Sequence, residues 1–150
     1  MLPGVGNFGY LARCLDTSSL RGRILKHHKN KAPIIGICLG MQILFETSHE
    51  SSLSRGLGII PGEVRSLSSQ VSNQCKRSIP NIGYNTVYTQ QGASDYFKEK
   101  LDELSGYYYF LHSYAMFDRQ LDADLEGITK FDDKEFLSFF LKQNLCGIQF

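Results

Sequence analysis

The chain has 150 residues, 16 Lys and Arg against 15 Asp and Glu, and a formal net charge of +1, so no long-range field recruits nucleic acid or an acidic membrane surface. No apolar run is long enough to cross a bilayer, and the 4 cysteines (Cys14, Cys38, Cys75, Cys146) are scattered without a C-x-x-C pair, against both a zinc site and a disulfide framework. With 42% apolar residues, residues 1–150 read as one globular domain in a reducing cytoplasm, where a lone thiolate survives as a nucleophile.

The opening Pro3-Gly4-Val5-Gly6 segment cannot be an ordinary helix, and its glycines suit either a plain turn or a loop whose backbone approaches a ligand. Tyr10 to Cys14 has helical composition, Asp16-Thr17-Ser18-Ser19 offers capping side chains, and Leu20, Ile24 and Leu25 continue at helical spacing. Lys26-His27-His28-Lys29-Asn30-Lys31 reads as the solvated end of that helix, where positive charge complements the dipole. It lacks the interleaved aromatics of a nucleic-acid surface.

Pro33 to Ile37 is an apolar, β-branched run that predicts a buried strand. Gly36 and Gly40 then bracket Cys38, and Met41-Gln42-Ile43-Leu44-Phe45-Glu46 has the composition of a helix. Strand, Gly-x-Cys-x-Gly turn and helix form the nucleophile-elbow arrangement with cysteine in the place of serine. Such a turn holds its nucleophile in a strained conformation, so the neighbours must lack a Cβ. A helix N-terminus behind the sulfur favours thiolate over thiol. The Leu39 amide is a candidate oxyanion donor, a group worth roughly 3 kcal/mol where one has been removed. A buried structural cysteine between chance glycines is the alternative reading.

Ser51 to Arg55 is predicted as loop, Gly58 to Leu67 as two short strand pieces around a turn, and Ser68 to Ser78 as a polar surface excursion. Ile79 to Val87 is a bent, extended segment, and Tyr96, Phe97, Leu101 and Leu104 space an amphipathic helix. Tyr107 to Leu111 is strongly β-prone and leads into His112-Ser113-Tyr114. A histidine just past a buried strand is either a ligand contact or a satisfied structural residue. Leu125 to Phe131, Glu135 to Leu141 and Leu145 to Phe150 are further strands, with turns at Asp132-Asp133-Lys134 and Gln143-Asn144. Strands interleaved early with helices and clustered late predict a three-layer α/β domain with a mixed sheet.

Five stretches carry a resemblance in their order: Leu2-Pro3-Gly4-Val5-Gly6-Asn7-Phe8, Gly36 to Gln42, Gly56-Leu57-Gly58, Ile79-Pro80-Asn81-Ile82-Gly83-Tyr84-Asn85, and Tyr109 to Tyr114. Together they resemble the class I (triad) glutamine amidotransferases, and within them the glutaminase subunits of imidazole glycerol phosphate synthase. The resemblance implies a three-layer α/β/α, flavodoxin-like fold with a mixed sheet, here incomplete. It implies that Cys38 attacks the carboxamide of L-glutamine, releasing ammonia and leaving a γ-glutamyl thioester for water to hydrolyse. Val5, Gly6 and Leu39 would form the oxyanion hole, with the Gly-Val-Gly loop completing it on partner engagement. Gly4, Gln42, His112, Ser113 and Tyr114 would bind the substrate. Asn81, Tyr84 and Tyr109 would face a HisF-like (β/α)-barrel synthase in a heterodimer that takes the ammonia through a tunnel. No metal or cofactor is implied.

Two departures from the family pattern stand out. The family's general base is the histidine of a His-Pro-Glu motif directly after Gln-Phe, whereas the sequence ends at Gln149-Phe150. The strand-helix-strand unit that normally precedes Leu-Pro-Gly-Val-Gly is not in it. The expectation is a fragment truncated at both ends and almost inactive by itself, because loss of the base from a concerted triad costs orders of magnitude in rate. Asn81 and Tyr84 stand where most members carry His and Trp, as in paralogues that feed ammonia to sugar-amidating enzymes of surface polysaccharides. A catalytically dead interaction module is the non-enzymatic alternative.

Overall fold

A computed structural model describes residues 1–50, 52–72, 77–91, 101–117 and 121–150. Helix α1 (Phe8–Thr17) is capped by Asn7, whose side chain accepts from the Tyr10 amide at 2.9 Å, and it buries Phe8, Ala12 and Leu15 on one stripe. Helix α2 (Leu20–Lys29) follows at once, with the Ser18 hydroxyl accepting from the Leu20 amide. Its last turn carries Lys26, His27, His28 and Lys29, as the charge pattern predicts.

The chain then runs through β1 (Ile34–Ile37), α3 (Leu39–Gln42), β2 (Phe45–Ser48), β3 (Ser54–Arg55), β4 (Ile60–Ser66), α4 (Leu67–Gln70) and β5 (Asn81–Gln91). It continues as α5 (Leu101–Leu104), β6 (Gly106–His112), β7 (Tyr114–Met116), β8 (Leu125–Phe131), β9 (Lys134–Lys142) and β10 (Leu145–Ile148). One mixed sheet has the order β1-β10-β9-β8-β5-β6, and a smaller mixed one the order β3-β2-β4-β7. The β8–β9 and β9–β10 hairpins turn at Asp132 (φ 56°) and Gln143 (φ 53°), where the sequence places its turns. The core lies between the two sheets and α1, with Phe45 of β2 edge-on to Phe140 of β9 at 6.2 Å.

Several local expectations change. The helix predicted over Met41 to Glu46 is a single turn ending at Gln42, and Phe45-Glu46 opens β2. Burial decides it: Phe45 is fully enclosed, and the Glu46 carbonyl accepts from the Gly56 amide at 2.8 Å, so tertiary packing overrides helical composition. Ser54–Arg55 pairs with β2 rather than lying in loop. The two strand pieces around Pro61-Gly62 are one strand, carried through the kink by Gly62 at φ 119°. Strand β6 is the sheet's edge, not a buried strand, and Tyr107, Tyr109 and Leu111 on one face of it are exposed. The strand expected to run to Phe150 ends at Ile148. Tyr96 and Phe97 of the predicted amphipathic helix, and Cys75, lie outside the described residues.

Strand directions gather the site. β1 and β10 are parallel, and alternation through β9, β8 and β5 returns β6 to the direction of β1. The carboxyl ends of β1, β10 and β6 therefore open at the same edge of the sheet, where ligands bind in open α/β folds.

Candidate active site

Cys38 follows β1 with φ 54° and ψ −115°, a backbone conformation that a side chain adopts only when its surroundings enforce it. The enforcement is visible. Its amide donates to the Ile148 carbonyl at 2.6 Å, and its carbonyl accepts from the Met41 and Gln42 amides. The bracketing glycines are required by close approach: a Cβ on Gly36 would stand 2.5 Å from the Gly40 carbonyl oxygen, and one on Gly40 only 1.6 Å from that of Leu2. Leu2 is held there by bonds to both neighbours on β1, donating to Ile35 at 2.7 Å and accepting from Ile37 at 3.0 Å. The sharp, strained cysteine turn is thus present as the sequence predicts. The helix behind it is only four residues long, so its macrodipole is small and the case for ionised sulfur has little support from it.

A cleft of about 330 Å³ opens beside the sulfur, lined by Val5, Gly6, Cys38, Leu39, Gln42, Glu50, Pro80, Leu111, His112, Ser113 and Tyr114. Eight of the residues singled out in the sequence meet in it, drawn from the opening loop, the elbow and the end of β6. Val5 is 92% exposed, on a loop with Gly6 at φ 118°. Gly4 does not line the cleft; it packs behind it, where a Cβ would come 3.3 Å from the Leu39 Cβ.

Glu50 is the residue the sequence reading missed. It is half-buried, its Oε2 accepts from the Phe8 amide at 2.5 Å, and it is the acidic group among the lining residues. No local signal marks it, since a glutamate in a Ser/His-rich loop looks like any solvated side chain until the first amide of α1 meets it.

Gln149 also has a place in the sequence only as the end of a motif. Buried just past β10, it donates from Nε2 to Cys38 Sγ at 3.4 Å and accepts at Oε1 from Gln42 Nε2 at 2.7 Å. Gln42 Nε2 also donates to the Tyr114 carbonyl at 3.0 Å. His112 is 6% exposed, and burial pushes its pKa from 6.5 to about 4 against the raising effect of the Tyr114 carbonyl. It is therefore a neutral pocket residue and unsuited to taking a proton from sulfur near neutral pH.

Of the three residues expected on a partner face, Tyr84 (73% exposed) and Tyr109 (49%) do stand at the surface as an edge-on pair 5.3 Å apart. Asn81 does not. It is 4% exposed and bonded to His112 Nε2 at 3.0 Å, because its position on β5 faces the same side as His112 opposite it.

The profile of the family "Glutamine amidotransferase class-I" matches residues 1–150. The chain belongs to the class I glutamine amidotransferases. It is 34% identical over 151 residues to the imidazole glycerol phosphate synthase subunit HisH of Chlorobium chlorochromatii, covering 100% of this chain and 70% of that protein. The HisH proteins of Thermotoga maritima (35% identical, 99% of this chain, 65% of that one) and Pyrococcus furiosus (36%, 100% and 71%) are similar over the same region. The chain thus spans roughly two thirds of these amidotransferases' length.

Proposed function

We propose that this chain, as a single amidotransferase domain, is the glutaminase part of an imidazole glycerol phosphate synthase and serves histidine biosynthesis. The observation that carries the reading is the strained Cys38 turn opening into a cleft lined by backbone donors, polar side chains and one carboxylate. The relatives named above are all imidazole glycerol phosphate synthase subunits, which favours this pathway over sugar amidation. Among the described residues no helix is long and apolar enough to cross a membrane. The proposed setting is the reducing cytoplasm, where a lone thiol survives as a nucleophile.

In this reading the Cys38 sulfur attacks the side-chain carboxamide carbon, and the carbonyl oxygen becomes an oxyanion beside the Leu39 amide and the Val5–Gly6 peptide. The C–N bond then breaks, the amide nitrogen leaves as ammonia carrying the proton that the Cys38 thiol gives up, and water hydrolyses the thioester to glutamate, restoring the thiol. Glu50 suits the α-ammonium group, as the carboxylate among the residues that line the cleft. Gln42, Ser113 and Tyr114 frame the amino-acid end. The exposure of Val5 fits a loop that completes the oxyanion hole only when something docks over it. Tyr84 and Tyr109 supply an aromatic patch of the kind that anchors a protein partner, here a HisF-like (β/α)-barrel synthase that consumes the ammonia.

The test is covalent labelling with the glutamine analogue 6-diazo-5-oxo-norleucine, followed by peptide mass spectrometry. Saturable labelling at Cys38, competed by L-glutamine and lost in Cys38→Ser, is the expected result. Labelling spread over Cys14 and Cys146, or none that glutamine suppresses, would overturn the reading.

A further inference from the structure

Behind the cleft a line of side chains runs from Arg77 to Tyr114 without interruption. Arg77 donates to Asn85 Oδ1. Asn85 Nδ2 donates to Asn81 Oδ1 at 3.0 Å. Asn81 Nδ2 lies 3.0 Å from His112 Nε2, and His112 Nδ1 lies 3.0 Å from the Tyr114 carbonyl oxygen.

The direction of every bond in this line follows from its two ends. A guanidinium only donates and a carbonyl only accepts. With Arg77 donating, Asn85 must present oxygen to it and nitrogen to Asn81. Asn81 must then present oxygen to Asn85 and nitrogen to His112, so Nε2 can only be an acceptor. From the other end, the Tyr114 carbonyl requires a proton on Nδ1. Both ends demand the same neutral Nδ1–H tautomer, which removes the amide-flip and tautomer ambiguities that such networks normally carry. In water a free imidazole prefers the Nε2–H form, so the protein is imposing the less common one.

The imposition reaches the cleft. The Tyr114 carbonyl that His112 holds is also the acceptor for Gln42, and Gln42 in turn holds Gln149 against the Cys38 sulfur. Asn81, Asn85 and His112 are all buried, so a broken link leaves a desolvated polar atom and the line has reason to move as a unit. We infer that Asn81 is a positioning residue: by donating to Nε2 it holds His112 in the Nδ1–H form and so fixes the Tyr114 carbonyl and Gln42 at the substrate end of the cleft. The substrate part of this inference rests on the glutaminase reading above; the tautomer part does not.

The experiment uses the whole chain labelled with 15N-histidine, compared with Asn81→Ala and with the near-isosteric Asn81→Asp. Imidazole 15N shifts report which nitrogen of His112 carries the proton. Saturation of Cys38 labelling by 6-diazo-5-oxo-norleucine reports the substrate end, and alkylation by iodoacetamide, which needs no substrate pocket, reports the sulfur itself. Wild type is expected to show a protonated Nδ1 and a bare Nε2. Asn81→Ala should release His112 toward the Nε2–H form and raise the half-saturating analogue concentration about tenfold, the worth of one lost buried hydrogen bond, with iodoacetamide alkylation changing by much less because the sulfur is reached only through Gln42 and Gln149.

In Asn81→Asp the carboxylate accepts from Nε2 while still accepting from Asn85, so His112 should carry protons on both nitrogens; this variant decides the matter if the alanine variant fails to fold. A wild-type Nε2–H signal, or wild-type saturation in a folded Asn81→Ala, overturns the inference. A wild-type chain that ignores the analogue sinks the glutaminase reading instead, and the wild-type tautomer then decides the role of Asn81 by itself.

Discussion

Acidification should weaken the fold through His112. The folded chain holds this imidazole near a pKa of about 4, against 6.5 for an unburied histidine, chiefly because burial penalises the charged form. The folded value is the lower one, so between the two it is the unfolded chain that binds the extra proton. The stabilisation from the neutral ring is therefore complete above 6.5 and drains away as the pH falls toward 4. The gap between 6.5 and about 4 is worth on the order of 3 kcal/mol at its acid limit, of which about 2 kcal/mol should already be lost at pH 5. That is a large part of what a domain of this size has to lose.

The Glu63 carboxyl is held below its ordinary 4.5 by hydrogen bonds from His49 and then Arg65, so the stability it contributes is lost only below that value, at the acid end of the histidine's window. Urea midpoints read at intervals from neutrality to pH 4 measure the effect, with His112→Gln as the comparison. The glutamine amide can still accept from Asn81 and donate toward the Tyr114 carbonyl but cannot titrate. Wild type should lose stability across the window while the variant stays nearly flat. Parallel curves would show that His112 is not held neutral by the fold.

Three further outcomes follow from contacts already described. Gly40→Ala places a Cβ 1.6 Å from the Leu2 carbonyl oxygen, which is backbone tied to β1 on both sides, so the melting temperature should fall by the equivalent of about 3 kcal/mol or more; a wild-type melt would refute the close approach. Glu50→Gln should weaken Cys38 labelling by glutamine analogues about tenfold or more while leaving analogues without an α-amino group unaffected, a contrast that saturation kinetics read directly. Tyr84→Ala, at a position 73% exposed, should change stability by no more than about 0.5 kcal/mol yet cost about 2 kcal/mol in calorimetric affinity for a (β/α)-barrel synthase.

The parts of this molecule legible in its sequence are those whose physics is short-ranged. The cysteine turn needs two glycines within a few residues, the β8–β9–β10 hairpins need β-prone runs and turn residues, and the middle of α1 needs only the helical composition of Tyr10 to Cys14; all lie within one local window. Phe45 shows where that window fails. Its neighbours are good helix formers, and what makes extension the better state comes from further along the chain: pairing with Ile60 on β4, the Gly56 amide on the Glu46 carbonyl and the ring of Phe140.

Asn81 and Glu50 fail for a related reason. Which face of β5 carries Asn81 depends on its register against β6, and a shift of one residue would turn it to solvent beside Tyr84. Glu50 acquires its place only when the first amide of α1 arrives from 42 positions earlier in the chain. Both are polar residues whose meaning is set by a partner distant in sequence, so composition and spacing leave them indistinguishable from ordinary surface. The same dependence makes them informative once the fold is known. A buried polar side chain keeps its place only if every partner is present, and for Asn81 those partners run from a surface arginine to the carbonyl that anchors Gln42. The chemistry of the cleft is therefore written in the cysteine turn, while its geometry is held by β5 and β6, and substitutions on those strands should alter how glutamine is held more than how the sulfur reacts.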